Sequence, residues 1–278
     1  MPSEVSAPPL TISPAGVWIV QALLNVEMLP AALVLRPWVS GEGTPAPTDP
    51  GMQTLREAGV VTAERDVHPA VADWFETLSA PDVMLSCLGV AGDVNMRAVL
   101  ARRDGRHVAV SRVDEEVIFQ DAGAVRGMGD VARLVLDWMG GAAALTPAKF
   151  DPIAVPTVPL TKALGDVIHR NRGAAAILGR LGLNSAQQKI VMAAADRPVR
   201  SLGLAISQYS LKGEFVSPAA VSVIETSAGL VVNGPKMGSD KRWWTRIEPG
   251  TLDSLTRALG ELVKSLPTPH WRNHSRQQ

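Results

Sequence analysis

Apolar positions along this chain keep a helical spacing first, then alternate, then go through both rhythms a second time. Ser13-Pro14 offers an N-cap and a first-turn proline, with Val17, Val20, Leu23 and Leu24 following at helical spacing until Pro30. Residues 40–50 are a loop by composition, Asp49-Pro50 opens a short helix that Gly59 stops, and His68-Pro69 opens another carrying Val71, Trp74, Phe75 and Leu78 on one face. From Pro81 the period becomes two, and residues 82–90, 95–102, 106–113 and 116–120 read as four strands. Asp104-Gly105 marks a tight hairpin between the second and third, because a two-residue turn needs positive φ. Met128–Met139 returns to helical spacing through Val131, Leu134, Val135 and Trp138, and Gly140-Gly141 ends it.

The second round begins after residues 142–159, a segment with four prolines and no periodic pattern that reads as a crossover. Helices are expected over Leu160–Leu181 and Ser185–Ala195, the latter capped by Asn184 or Ser185. Strands follow at 199–209, 219–226, 229–233 and 241–248, with a connecting loop at 211–218 that could order on binding. Pro249-Gly250-Thr251 leads into a last amphipathic helix with Leu252, Leu255, Leu259, Leu262 and Val263, closed by Pro267. Helices, antiparallel meander and closing helix therefore occur twice. This predicts the α+β class: a quasi-two-fold pair of lobes, about 10–141 and 160–267, whose meanders join in one central sheet flanked by helices. The two lobes are taken as one domain spanning 10–267, with disordered tails at 1–9 and 268–278.

Composition narrows the function classes. The chain has 278 residues, 46% of them hydrophobic, enough for a sizeable core. Twenty-seven basic residues balance 27 acidic ones, and aromatics make up only 4%. Neither a general affinity for phosphate backbones nor a stacking platform for single strands is expected. No apolar run approaches the ~20 residues needed to span a bilayer, and the N-terminus lacks the pattern of a signal peptide. Cys87 is the one cysteine and sits in an apolar run, so it reads as a core residue in a cytoplasmic, reducing setting.

Nothing is spaced for catalysis, metal or nucleotide. The five histidines are His68, His107, His169, His270 and His274; only the last two stand four apart, without the glutamate of a zinc motif and in a polar tail. Gly123-Ala-Val-Arg-Gly127-Met-Gly129 lacks phosphate-loop spacing and reads as a connecting loop, and no G-x-S-x-G elbow occurs. No catalytic residue, metal ligand or cofactor is assigned. One face has physical interest. In the strand from Ser201 to Tyr209, Leu202, Leu204 and Ile206 face one way, and Gly203, Ala205, Ser207 and Tyr209 the other. The next strand adds Ala220 and Ser222 on alternate positions. Such a smooth face lets a partner's backbone or helix tip come close, unless it packs on the protein's own other lobe.

The C-terminal third is specific enough to carry a resemblance. Ala220-Val-Ser-Val-Ile-Glu-Thr-Ser-Ala-Gly-Leu-Val-Val, then Asp240-Lys-Arg-Trp-Trp-Thr-Arg-Ile-Glu-Pro-Gly-Thr, then Leu255–Pro267, resembles the EspG family, the cytosolic chaperones of mycobacterial ESX (type VII) secretion. The opening helix ending at Leu29-Pro30, Gly59-Val-Val and Ala101-Arg-Arg before Asp104-Gly105 agree more loosely, and Leu230 departs from the arginine that relatives often carry there. The resemblance implies a quasi-two-fold α+β fold without cofactor or catalysis. It implies binding, through the sheet and the C-terminal helical bundle, to the PPE subunit's exposed helical tip in PE–PPE heterodimers. Balanced charge and the lack of a long apolar run lead us to expect no nucleic-acid or membrane partner, and the free state is expected to be a monomer or weak homodimer. Gly203, Ala205, Ser207, Tyr209, Ala220 and Ser222 are the candidate contacts by the smooth-face argument. The alternatives are a small-molecule enzyme or binding protein with a cleft between the lobes, and a subunit that only self-associates.

Overall fold

The structure is a computed structural model describing residues 8–39, 43, 45–170, 173–196 and 198–277. Residues 1–7, most of the tail expected at 1–9, lie outside them, as does the side chain of His169.

Two runs of elements in the same order build it. A short strand β1 (Leu10–Ile12) precedes helices α1 (Pro14–Leu24), α2 (Pro50–Glu57) and α3 (Pro69–Ser79). The meander β2 (Val83–Ala91), β3 (Val94–Arg103), β4 (Arg106–Val113) and β5 (Glu116–Asp121) follows, closed by α4 (Met128–Trp138). Strand β6 (Ile153–Pro156) then precedes α5 (Thr157–Arg170), α6 (Ala174–Gly179) and α7 (Ser185–Asp196). Next come β7 (Arg200–Ser210), β8 (Gly213–Val216), β9 (Val221–Thr226), β10 (Gly229–Met237) and β11 (Trp243–Pro249), closed by α8 (Leu252–Lys264). All ladders are antiparallel, and the strands lie in the order β1-β5-β4-β3-β2-β7-β9-β10-β11-β6, with β8 beside β7. Each edge strand caps the last strand of its own half, and β2 against β7 joins the halves across a quasi-two-fold axis. This is the α+β architecture read from the sequence.

The helix starts follow their capping residues. Ser13 Oγ accepts from Gly16 N at 3.1 Å, Asp49 Oδ1 from Gly51 N at 2.8 Å, and His68 Nδ1 from Ala70 N at 3.2 Å. Asn184, rather than Ser185, caps α7, trading bonds with Gln187 at 2.9 and 3.0 Å. Asp104 and Gly105 both have positive φ, as their hairpin requires.

Several expectations need correction. Helix α1 stops five residues before Pro30, at Asn25, whose left-handed conformation turns the chain out. The crossover contains β6, whose Pro156 is tolerated because an edge strand needs bonds on one side only. The helix expected over Leu160–Leu181 is two, α5 and α6. The 211–218 loop is already ordered as a hairpin, with β8 pairing Ser207–Ser210.

The C-terminal tail is the largest correction. Residues 268–277 are not a solvated tail but a strap returning across the first half, with Trp271 and His274 buried. Gln208 exchanges two hydrogen bonds with the Thr268 backbone, at 2.6 and 3.1 Å. His274 Nε2 donates to Tyr209 O at 2.7 Å, and Arg276 N donates to Asp82 Oδ1 at 2.8 Å. The polar sequence hid this because the strap is held mainly through its backbone, which composition does not report.

Three apolar clusters result. One face of the sheet is covered by α4 and α8, which meet each other over Leu85, Cys87, Leu100, Leu204, Ile206, Val223 and Val232. On the other face, α1 to α3 cover β3 to β5 around Phe75 and Phe119, and α5 to α7 cover β6, β10 and β11 around Ile153, Val231 and Ile247, with α7 also reaching over part of β9. Between those two helical clusters, among the described residues, the middle of the sheet is left open around Leu88, Val90 and Gly203.

Candidate functional site

The open strip is the candidate site, and strand register defines its floor. Ser86 is paired with Ala205, Leu88 with Gly203, and Gly203 with Ser222, so these residues share one face across β2, β7 and β9. Leu202, Leu204 and Ile206 point the opposite way into the core under α4 and α8. Gly203 is exposed, and a Cβ built there meets nothing nearer than the Leu88 carbonyl at 3.9 Å. The protein's own packing therefore does not demand a glycine there. Ala220 is exposed, and Ala205 and Ser222 are half-buried.

Two of the six sequence-derived residues sit differently. Ser207 is buried, in register with Met84 on one side and Val216 on the other. Tyr209 packs against the first helical cluster, and its hydroxyl donates to Glu214 Oε1 at 3.1 Å. Burial first, then the Glu214 carboxylate, raises its hydroxyl pKa well above the ordinary range. These two frame the strip at the β8 end; Gly203, Ala205 and Ser222 form its floor, and Ala220 stands exposed just before β9, outside the β7–β9 ladder. Leu88 and Val90, 49% and 42% exposed, were missed. Alternation along β2 puts them on this face, but only the β2–β7 pairing brings them beside Gly203.

The wall at the β2–β3 side is the short 3-10 turn Ala31–Leu33, lying over both strands. Arg112 Nη1 donates to Leu33 O at 3.1 Å and also to Val34 O, pinning the turn and leaving Val34 at 56% exposure. The strip thus offers isolated apolar side chains around a nearly flat floor. Hollows of about 410 and 500 Å3 lie elsewhere, beside the strap.

The buried ionisable groups also lie away from the strip. Cys87 is in the core beneath α4 and α8, and burial pushes its thiol up to about 12, leaving no thiolate near neutrality. Arg102 is buried with Asp82, their charged atoms 3.5 Å apart. Its Nη1 donates to Arg272 O at 2.7 Å and its Nη2 to His274 O. Burial lowers its pKa, which Asp82 partly restores. His107 Nε2 accepts from the Trp271 indole at 3.2 Å, which fixes the proton on Nδ1. Burial first, then the Arg102 charge, pushes His107 down to about 4, against a smaller opposing pull from the Gly105 backbone. This cluster secures the strap. Among the described residues no group of three or more His, Cys, Asp or Glu is placed to hold a metal ion, and no helix is long and apolar enough to cross a membrane.

Fold and site together define a two-fold α+β scaffold with an open sheet strip between two helical clusters. The chain belongs to the EspG family, whose sequence pattern matches residues 13–261. It is 25% identical over 292 aligned positions to the ESX-5 secretion-associated protein EspG5 of Mycobacterium tuberculosis, covering 96% of this chain and 97% of that one. It is 26% identical to the ESX-3 secretion-associated protein EspG3 of Mycolicibacterium smegmatis, over 78% of this chain and 73% of the relative. The M. tuberculosis type VII secretion system chaperone EspG5, solved in complex with a PE25–PPE41 dimer, superposes with a TM-score of 0.84. That match covers 96% of this chain and all of the other at 23% identity, and it establishes the fold.

Leu230, where an arginine was expected from the family, is fully buried. It packs under Gly250, where a Cβ would come within 2.5 Å of Leu230 Cγ. The Pro-Gly-Thr motif that carried the resemblance is therefore a packing device at the start of α8.

Proposed function

We propose that this chain is a specific chaperone of PE–PPE heterodimers, holding the exposed helical tip of the PPE subunit against the open strip before ESX export. It acts in the cytoplasm by binding, without catalysing a reaction and without a cofactor. The observation that carries the reading is the small-residue floor of Gly203, Ala205 and Ser222, with exposed Ala220 just before β9, in a chain alike from end to end to a chaperone solved with such a dimer. A flat floor with apolar residues at its margin suits the tip of a helical hairpin, whose own apolar residues would otherwise self-associate. The two halves work as one binding unit, because the β2–β7 ladder that joins them is itself the floor. Ser207 and Tyr209 contribute by holding the strip's end in shape.

Co-expression with PE–PPE pairs from the source genome tests this. A stable 1:1:1 complex with at least one pair is expected, and Ala205→Arg or Gly203→Arg should weaken it about tenfold or more through a few central contacts. The variants should melt like the parent, since neither position packs inward. Failure with every pair would overturn the chaperone reading; unchanged binding by both folded variants would overturn the choice of surface. Light scattering of the free chain should give a monomer or a weak dimer.

A further inference from the structure

Beside the strap, Arg126 and Arg272 pair with no carboxylate among the described residues. On the face of the sheet opposite the strip, the start of α4, the end of α8 and residues 269–273 border an open cleft of about 500 Å3. Met128, Val263 and Trp271 give it an apolar wall, and Arg126 and Arg272 stand at its rim. Among the described residues no carboxylate lines it; its third cation, Lys264, is paired with Glu261 at 2.8 Å. The neighbouring hollow shares Arg126 and Arg272, but its two acids are engaged. Asp82 pairs with Arg102 and accepts from the Asp104 and Arg276 backbones, and Asp104 lies 3.7 Å from Arg103.

We infer that this cleft is a second docking site, taking a short peptide segment that carries an acidic side chain beside an apolar one. The rim supplies charge complementarity for the first and the Met128–Val263–Trp271 wall covers the second. A free phosphate would meet the arginines and leave the wall bare. A whole helix would exceed a hollow of this size. The site lies apart from the strip and does not depend on what the strip binds.

Isothermal titration of the full chain with an acetylated, amidated hexapeptide alternating leucine and glutamate tests it. Saturable binding is expected, weakening about tenfold in the Arg126→Gln/Arg272→Gln double variant and falling with salt, as exposed charge contacts do. The double variant should fold, because the local bonds of these two residues, Arg126 N to Asp130 and Arg102 to Arg272 O, are made through their own backbone. A thermal melt checks that. The Ala205→Arg variant, altered on the other face, should bind the peptide as the parent does. No saturable binding by the parent, or equal affinity in the folded double variant, would sink the proposal. Equal competition by inorganic phosphate at the same concentration would reduce the cleft to a small-oxyanion site and overturn the peptide assignment.

Discussion

His107 connects single-residue chemistry to the strap. Its folded pKa, pushed down to about 4, lies below the ordinary value of about 6.5. Between those values the unfolded chain binds the extra proton, so His107 contributes stability above about pH 6.5 that is lost as pH falls toward 4. Melting temperature should therefore drop across that window, and His107→Gln should flatten the slope while still offering an acceptor to Trp271. An equal slope in the variant would mean that other groups carry the effect. Asp82 is the sharper case. Asp82→Ala would leave Arg102 buried and uncompensated, and a loss of about 3–5 kcal/mol is expected in denaturant unfolding. None of this was legible in the sequence. His107, Asp82 and Trp271 are far apart in the chain, and a buried ion pair has no local spacing to mark it. Cys87, by contrast, was legible because its apolar neighbours on one strand already imply burial.

Capping residues were the most legible elements, since a cap bonds within three residues and the sequence holds both partners. Helix α8 shows it: Ser254 N donates to Thr251 Oγ1 at 3.1 Å while Thr251 N donates to Ser254 Oγ at 2.9 Å. Thr251→Ala should cost about 1 kcal/mol. Gly250→Ala should cost about 1–3 kcal/mol by forcing a methyl against Leu230. Chemical denaturation of both variants would check the order. The elements that sequence missed, β1, β6 and β8, are three or four residues long, too short for a period to register. Their existence depends on a neighbouring strand supplying hydrogen bonds, which is information from elsewhere in the chain. The floor of the strip divides the same way. Alternation along β7 gave Gly203 and Ala205 their shared direction, whereas Leu88 joins them only through pairing with β7.

For the whole molecule, the repeated order of elements was enough to predict the two-fold α+β plan, and the register of its centre was not. Met84 pairs with Ser207 and Val90 with Ser201, partners about 110–120 residues apart, whereas β2 to β5 are joined by tight local turns. That spacing matters during synthesis. When the first half leaves the ribosome, its meander can close on itself, but β2 then carries a bare edge until β7, some 60 residues further on, arrives. A nascent chain paused near residue 141 would be a sticky intermediate, and a fragment ending there should be recovered largely insoluble. Adding the second half as a separate chain should rescue it. A monodisperse, soluble first fragment would show that the edge is protected in some other way. A protein proposed to shield its clients from association thus passes through a stage in which it needs the same protection, given by its own second half.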